Sequence, residues 1–418
     1  MEIQDLYQLY QKTYLVDTDT RKIRKGSIFF ALKGENFNGN KFASQALEKG
    51  ASYCVIDEKD FEIAGKTILV EDSLKALQEL ANYHRKELGI PIVGLTGSNG
   101  KTTTKELIHS VLKTQFNTGA TLGNLNNHIG VPLTLLSFTK ETEIGIVEMG
   151  ANHQKEIEFL CDIAEPDYGY ITNFGKAHLE GFGGVEGVIK GKSELYRYLL
   201  KDNKTAFVNP KDDKQVELTE GQQRIFLSSD HLSVVSTHPY LKISYKNTPI
   251  QTHLVGEYNL PNILAAISIG EHFGISEENI QKALERYISN NNRSQIVEKN
   301  SNKILLDAYN ANPSSTLLAL ENFSKVDASS KVAILGDMFE LGVDADSEHQ
   351  SIVDQGTKLN IDRFIFVGAH YFETNASEKY QSFEDLKSHL IDHPIHDSFI
   401  LIKGSRGMAL ERLLDLIN

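Results

Sequence analysis

The nine residues Thr96-Gly97-Ser98-Asn99-Gly100-Lys101-Thr102-Thr103-Thr104 follow the apolar run 92–95 and lead into the helical spacing of 105–112. A strand that turns through glycines into a helix leaves the first backbone N–H groups of that helix unpaired, at the positive end of its dipole. Such a junction is a cradle for phosphate. On this reading Gly97, Ser98, Asn99, Gly100 and Thr103 form the turn, Lys101 meets the β- and γ-phosphates, and the Thr102 hydroxyl sits on Mg²⁺. The general phosphate-loop spacing asks for a glycine five residues before Gly100, where Leu95 stands, so Gly97 makes the turn instead. ATP binding is therefore the anchor for the rest of the chain.

A length of 418 residues suits about three domains. No run approaches the roughly 20 apolar residues of a membrane-spanning helix, and the first residues lack a basic segment followed by an apolar one. A cytoplasmic protein is expected. Cys54 and Cys161 have no metal-type spacing and suit buried apolar positions better than a disulfide. With 43 basic and 56 acidic residues the net charge is −13, which repels nucleic acid, and no basic stripe is visible to offset it. An acidic chain that binds phosphates must rely on local cations and metal ions.

Taken in order, residues 1–88 read as a small α/β domain with strand candidates at 27–32, 53–56 and 67–70 and helical spacing at 42–49 and 73–88. Thr20 and Arg21 precede its first strand candidate and a polar glycine loop at 34–40 follows it; on composition alone these are a turn and a surface loop. The unit 89–292 begins with the phosphate loop. The amide-rich stretch 121–130, with Asn126 and Asn127, faces ligand or solvent, because buried amides must be paired. The next strand, 144–150, carries Glu148 near its C-terminal end, where open α/β sheets place ligands, so Glu148 either holds Mg²⁺ beside Thr102 or points to water. His178, between glycines and Glu180 after the strand 168–172, has the chemistry of a second metal ligand, although a lone histidine carries little weight. The segment 188–196 has the spacing of an amphipathic helix with solvated lysines. Strand candidates at 206–208, 224–227, 241–245 and 252–255 suggest a β subsection, and Asn259 and Asn262 at the next helix entrance either cap it or meet a base edge. The unit 293–418 alternates strand candidates at 303–307, 332–336, 364–368 and 399–403 with helical stretches, which is the pattern of a parallel sheet. Its strand ends, 307–313, 336–338 and 403–406, gather polar groups that imply a site facing the phosphate loop across a cleft.

Together these motifs resemble the Mur ligase superfamily over essentially the whole chain. The short phosphate loop 96–104 has that superfamily's form, and Tyr309-Asn310-Ala311-Asn312-Pro313 with Gly123-Asn124-Leu125-Asn126-Asn127 resembles its D-alanyl-D-alanine-adding branch, supported by 178–183. The resemblance implies three α/β domains: a small N-terminal one, a central phosphate-loop mononucleotide-binding one and a C-terminal Rossmann-like one. It implies that Glu148, His178 and Lys192 join Thr102 in holding two Mg²⁺ ions, with Lys192 carbamylated so that a cation becomes an anionic oxygen ligand. It also makes Asn259 and Asn262 the adenine-side pair, Arg293 the arginine that reaches the phosphates and Asp307 a ribose or hinge carboxylate. Thr20 and Arg21 would hold the UDP part of the substrate, and Asn126 and Asn127 would face the muramoyl peptide. The chain departs from the family pattern at Tyr258, Ala308 and Leu306, where histidine, serine and a second acid are common, and at Asn38-Gly39-Asn40, where Asp-Gly-His is usual.

The activity implied is ATP-driven amide formation between UDP-MurNAc-tripeptide and D-Ala-D-Ala through an acyl phosphate, with Lys101, Lys192, His178 and Arg293 at the chemistry. A monomer with small-molecule substrates is expected. Another ligase of the same superfamily and a non-ligating ATP-binding regulator are the competing readings.

Overall fold

The structure is a computed structural model that describes residues 2–417 except 229, 238, 239, 290 and 292. The expected boundary residue Asn292 lies outside the described residues, as do Met1 and Asn418.

The chain forms three α/β units in series. In the first, the strands Val16–Asp17, Ile28–Phe30, Tyr53–Ile56 and Thr67–Leu69 pair in parallel in that order. Cys54 is a fully buried free thiol in this sheet, and Cys161 is buried likewise in the second unit. The helix Ser73–Leu88 begins where the Asp72 carboxylate accepts from the amides of Leu74 and Lys75, and ends at Gly89, whose φ of +61° favours glycine. This helix ties the first unit to the second. His84 Nε2 lies 2.9 Å from the Phe138 carbonyl, and the Arg85 guanidinium reaches Asp167 at 2.7 Å.

The second unit is built on six parallel strands in the order Gln223–Phe226, Thr205–Val208, Tyr168–Ile171, Ile92–Thr96, Ile144–Glu148 and Thr118–Ala120. From Ile92–Thr96 the chain passes to the edge strand Thr118–Ala120, returns to Ile144–Glu148 between the two, and then crosses to the other side of the sheet. The phosphate-loop strand therefore stands at the topological switch point, where open sheets form their ligand crevice. Two of the strands expected in a separate β subsection join this sheet instead. The subsection itself is a three-stranded antiparallel sheet of Leu232–Ser236, Lys242–Tyr245 and Thr248–Gln251, so the expected strand at 252–255 falls just beyond its last strand. The helix expected across 188–196 is two helices, Val185–Lys192 and Glu194–Lys201, meeting at Ser193.

In the third unit the order is Gln295–Lys299, Asn302–Asp307, Phe399–Lys403, Lys331–Gly336, Arg363–Val367 and Lys379–Tyr380. The edge strand Gln295–Lys299 runs antiparallel to its neighbour, so the sheet is mixed where the strand pattern implied a purely parallel one. Its alternation is weak because the strand is only half-buried. Among the described residues no helix is long and apolar enough to cross a membrane.

One packing detail shows how the central sheet is held. Gly119 and Gly145 stand opposite each other on neighbouring strands, and a Cβ on either would lie 2.3 or 2.6 Å from the Phe138 ring. The paired glycines leave a notch that this buried ring fills. Phe138→Ala is expected to lower the unfolding free energy by about 3–5 kcal/mol, measured by urea denaturation of the full chain.

Candidate active site

Two glycines shape the loop between the strand Ile92–Thr96 and the helix Lys101–Leu112. Gly97 has φ +138°, and a Cβ there would lie 2.0 Å from the Thr172 hydroxyl; Gly100 has φ +80°, and its Cβ would lie 2.7 Å from Asn262 Oδ1. No other residue fits either place. The neighbouring strand end holds the loop open. Ser98 N–H donates to the Asn173 carbonyl at 3.0 Å, Asn99 N–H to Asn173 Oδ1 at 3.1 Å, and Ser98 Oγ to the Gly175 carbonyl at 2.8 Å. Lys101 Nζ folds back onto the Gly97 carbonyl at 2.7 Å, and Thr103 lines the cleft at the start of the helix.

Below the loop, strand pairing sets Leu95 opposite Glu148. This register brings Thr102 Oγ1 within 3.3 Å of Glu148 Oε1, which also accepts from Asn126 Nδ2 at 2.8 Å. Glu148 is only 1 % exposed, and its Oε2 has no hydrogen-bond partner. The nearest cation to that oxygen is Lys105 Nζ, 4.0 Å away. Lys105 was not singled out from the sequence; its position four residues after Lys101, on the same helix face, was the signal available. An orphaned buried carboxylate oxygen beside a hydroxyl is a hard donor pair, the kind Mg²⁺ takes. The residues present thus fit a divalent cation.

Lys192 is fully buried, contrary to its expected solvation. Its Nζ donates to the Ala151 carbonyl at 3.0 Å and lies 5.0 Å from the centre of the Phe182 ring. Burial, reinforced by the nearby Lys101 charge, pushes its amine well below the usual lysine range. Lys101 is displaced the same way by burial, against the pull of Glu148. The other half of the Lys-x-Glu pattern has a structural task, since Glu194 accepts from the amides of Lys155 and Glu158 and caps the helix Glu156–Ala164. His178 lines the cleft, with Nδ1 2.5 Å from Glu340 Oε2 of the third unit. Among the described residues no three His, Cys, Asp or Glu side chains form a metal cluster, so the carboxylate, imidazole and amine do not make a ready ligand set.

The third unit supplies the facing wall of a cleft of about 1280 Å³, whose lining includes the phosphate loop, Glu148, Asn259, Asn262, Arg293, Asp307 and Lys403. Asn259 and Asn262 are joined to each other at 2.9 Å, and Asn262 Oδ1 accepts from Thr104 Oγ1 at 3.0 Å, so the pair braces the phosphate-loop helix as well as lining the cleft. The Arg293 guanidinium lies 3.8 Å above the Tyr309 ring, and its buried Nε has no partner. Asp307 receives Lys403 Nζ at 2.7 Å and the Ser294 amide at 3.2 Å. Lys403 is the second functional candidate that sequence reasoning had left unnamed as a site residue. Asn312 Nδ2 donates to Asn99 Oδ1 at 2.7 Å, carrying the third unit onto the phosphate loop itself.

Some expected residues are engaged elsewhere. Asn126 and Asn127 both line the cleft, but Asn126 bonds Glu148, and Asn127 Oδ1 accepts from the amides of Ile129 and Gly130. Thr20 and Arg21 form a short 3₁₀ turn in the first unit, where the exposed Arg21 is paired with Asp19 at 2.7 Å; neither is among the cleft-lining residues.

Fold and site together define a three-domain α/β protein with a phosphate cradle facing a second mononucleotide-fold unit. The chain matches the Mur ligase family's catalytic domain at residues 12–85, its middle domain at 95–270 and its glutamate ligase domain at 292–406, and it belongs to that family. Within the family it is 36% identical to the UDP-N-acetylmuramoyl-tripeptide–D-alanyl-D-alanine ligase of Bacillus subtilis, over 98% of this chain and 94% of that one. It is 33% identical to the Escherichia coli ligase of the same name, over 96% and 92%. The structure superposes on MurF from Acinetobacter baumannii with a TM-score of 0.86 at 30% identity, covering 98% of this chain and 97% of the other. It also superposes on MurF ligase from Thermotoga maritima in complex with ADP, with a TM-score of 0.83 at 27% identity and 96% of each chain covered.

The Lys192 environment has a consequence for pH. The folded chain binds fewer protons at this amine than the unfolded chain does, so the destabilisation it causes grows as pH falls below about 10.4, the unfolded lysine value, and levels off below the folded one. In bicarbonate-free buffer Lys192→Met is expected to be more stable than wild type at pH 7. Denaturant titrations at several pH values should show the gap narrowing as pH rises toward about 10.

Proposed function

We propose that this chain joins D-alanyl-D-alanine to UDP-N-acetylmuramoyl-tripeptide at the cost of ATP, yielding the pentapeptide precursor of peptidoglycan. The observation that carries the reading is the cleft itself, in which a phosphate loop and a buried, half-satisfied carboxylate face a second α/β unit across one cavity. In this reading residues 1–88 hold the UDP end through Thr20 and Arg21, 89–292 hold ATP, and 293–418 present the dipeptide. The chain is taken to act as a monomer. ATP and a UDP-linked precursor as substrates support a cytoplasmic setting.

A carboxylate is a poor electrophile until one of its oxygens can leave. The terminal carboxylate of the tripeptide attacks the γ-phosphorus of ATP, ADP departs, and the resulting acyl phosphate is opened by the dipeptide amine, which loses a proton as phosphate leaves. Two anions must approach each other in the first step, so charge cancellation dominates the barrier. Lys101, once drawn from the Gly97 carbonyl to the phosphates, and Arg293, with its unpaired Nε, are the chain's cations for this task. Gly97, Ser98, Asn99, Gly100 and Thr103 belong to the cradle, Asn259 and Asn262 to the adenine side and Asp307 to the ribose or hinge. Asn126 and Asn127 stand toward the muramoyl peptide. Thr102, Glu148, His178 and Lys192 are the residues to hold two Mg²⁺ ions, which when bound supply positive charge to the transferring phosphoryl group. An uncharged Lys192 amine adds CO₂ and releases a proton, and the carbamate formed is an oxygen donor where an ammonium would repel the metals. Docking of the third unit excludes water that would hydrolyse the acyl phosphate.

An acceptor screen tests the proposal. The purified protein is given ATP, Mg²⁺, UDP-MurNAc-tripeptide with lysine or diaminopimelate at its third position, and D-Ala-D-Ala, D-Ala, D-Glu, lysine or diaminopimelate. Phosphate release matched one to one by a precursor heavier by one dipeptide is expected with D-Ala-D-Ala alone. Turnover driven by a free amino acid and not by the dipeptide would assign the chain to a sister ligase. No nucleotide-coupled ligation with any amine would leave only a binding role.

A further inference from the structure

The helix that begins at Lys101 also carries Glu106, which is not among the cleft-lining residues. Glu106 meets the segment between the helix Glu277–Arg286 and the third unit's edge strand Gln295–Lys299. Its Oε2 accepts from the Tyr287 hydroxyl at 2.6 Å, and its two oxygens accept from Asn291 Nδ2 at 3.0 and 3.2 Å. Burial, with the Glu106 charge behind it, pushes the Tyr287 phenol up, so that group stays a donor. Ser289 Oγ lies 2.9 Å from Asn291 Oδ1 and 2.8 Å from the Arg293 carbonyl, and shares its one proton between them. A carboxylate on the phosphate-loop helix is thus linked through Asn291 and Ser289 to the backbone of Arg293.

The other side of Arg293 is held from the third unit. Ser294, at φ +50°, donates its amide to Asp307 Oδ1 at 3.2 Å, and its hydroxyl lies 2.6 Å from that of Tyr258. Backbone of that kind persists where its surroundings fix it. The Arg293 guanidinium rests on the Tyr309 ring, 3.8 Å away, and its buried Nε has no partner. A ring face sets a plane but not a point on it, so where this charge stands is decided by where the backbone is pinned. Lys101, whose proton affinity is lowered mainly by burial, is lowered further by the Arg293 charge, so the two cations share one field.

We infer that Glu106 is a positioning residue for Arg293: by accepting from Tyr287 and Asn291 it ties the segment before Arg293 to the helix that begins at Lys101, so both cations are carried on one frame. The phosphate role proposed above for Arg293 underlies this placement. What is added is that a carboxylate outside the cleft sets the position of a cation inside it.

A double-mutant cycle read as nucleotide affinity tests this without relying on turnover. Binding of adenylyl imidodiphosphate with Mg²⁺ to the full chain is measured by titration calorimetry for wild type, Arg293→Ala, Glu106→Ala, Glu106→Gln and Asn291→Ala, and for Glu106→Ala and Asn291→Ala each combined with Arg293→Ala, all checked for folding by circular dichroism. Arg293→Ala is expected to weaken binding by about 10- to 100-fold. Glu106→Ala should weaken it by about 3- to 10-fold when Arg293 is present and add no loss when Arg293 is absent. Glu106→Gln, which keeps an oxygen for both donors, should recover most of the affinity. Asn291→Ala cuts the same link from the other end and leaves the helix intact; it should behave as Glu106→Ala does, and decides the matter if that variant fails to fold. A purely structural role would weaken binding equally with and without Arg293, and that result, or wild-type affinity in Glu106→Ala or Asn291→Ala, would overturn the inference alone. Unchanged affinity in Arg293→Ala would remove the phosphate role of Arg293, and the inference with it.

Discussion

The Glu148 carboxylate is the constraint on which the site depends. One of its oxygens is held by Asn126 and lies beside Thr102, while the other is buried without a partner. An ionised carboxylate out of water is expensive unless opposite charge or hydrogen bonds compensate. Lys105 at 4.0 Å compensates only in part. The rest of the central unit maintains this arrangement: the parallel register that sets Leu95 against Glu148, the glycines that let the loop pass Thr172 and Asn262, and the Asn259–Asn262 brace under the helix. A protein stabilised for its own sake would pair that oxygen. Its being free is what the proposed cation site requires.

The same logic explains why the cleft is built between units. Lys101 on one side and Arg293 and Lys403 on the other bring positive charge to the lining of the cleft in a chain whose net charge is −13. Burial lowers the proton affinity of Lys101 and of Lys105 one turn further along its helix, so their charge is costly until anions arrive. The third unit reaches the loop through small polar contacts, Asn312 to Asn99, Ser314 to the Lys176 amide and Glu348 to the Lys176 ammonium. Contacts of this kind make and break more readily than an apolar seam, which suits a cleft that must admit a large precursor and then shed water.

Much of this was legible in the residues. The phosphate loop, its flanking strand and helix, and the Glu148 strand end follow from glycine placement and apolar runs, and the structure has them where the patterns put them. Periodicity is silent on partnership between distant strands, so the strands at 205–208 and 223–226 looked like part of an appended β subsection until pairing put them in the main sheet. The half-buried strand Gln295–Lys299 lacked an alternation strong enough to announce itself. Lys192 is the instructive failure. On a helical wheel it shares a side with Val185, Val188 and Ile189, away from the exposed Glu186 and Lys190, so residue type alone suggested solvent where the tertiary contacts with the Ala151 carbonyl and the Phe182 ring bury it. The same holds for Lys403, whose meaning depends on Asp307 lying on the neighbouring strand, 96 residues away in sequence.

Isotope transfer reports most directly on whether this cleft activates a carboxylate. UDP-MurNAc-tripeptide labelled with ¹⁸O in its terminal carboxylate is turned over with ATP, Mg²⁺ and D-Ala-D-Ala, and the inorganic phosphate is analysed by mass spectrometry. If the carboxylate takes the γ-phosphoryl group and the amine then displaces it, each phosphate released carries one ¹⁸O from the precursor. Unlabelled phosphate accompanying lengthened peptide would mean that water, not the carboxylate, receives the phosphoryl group, and would contradict the account.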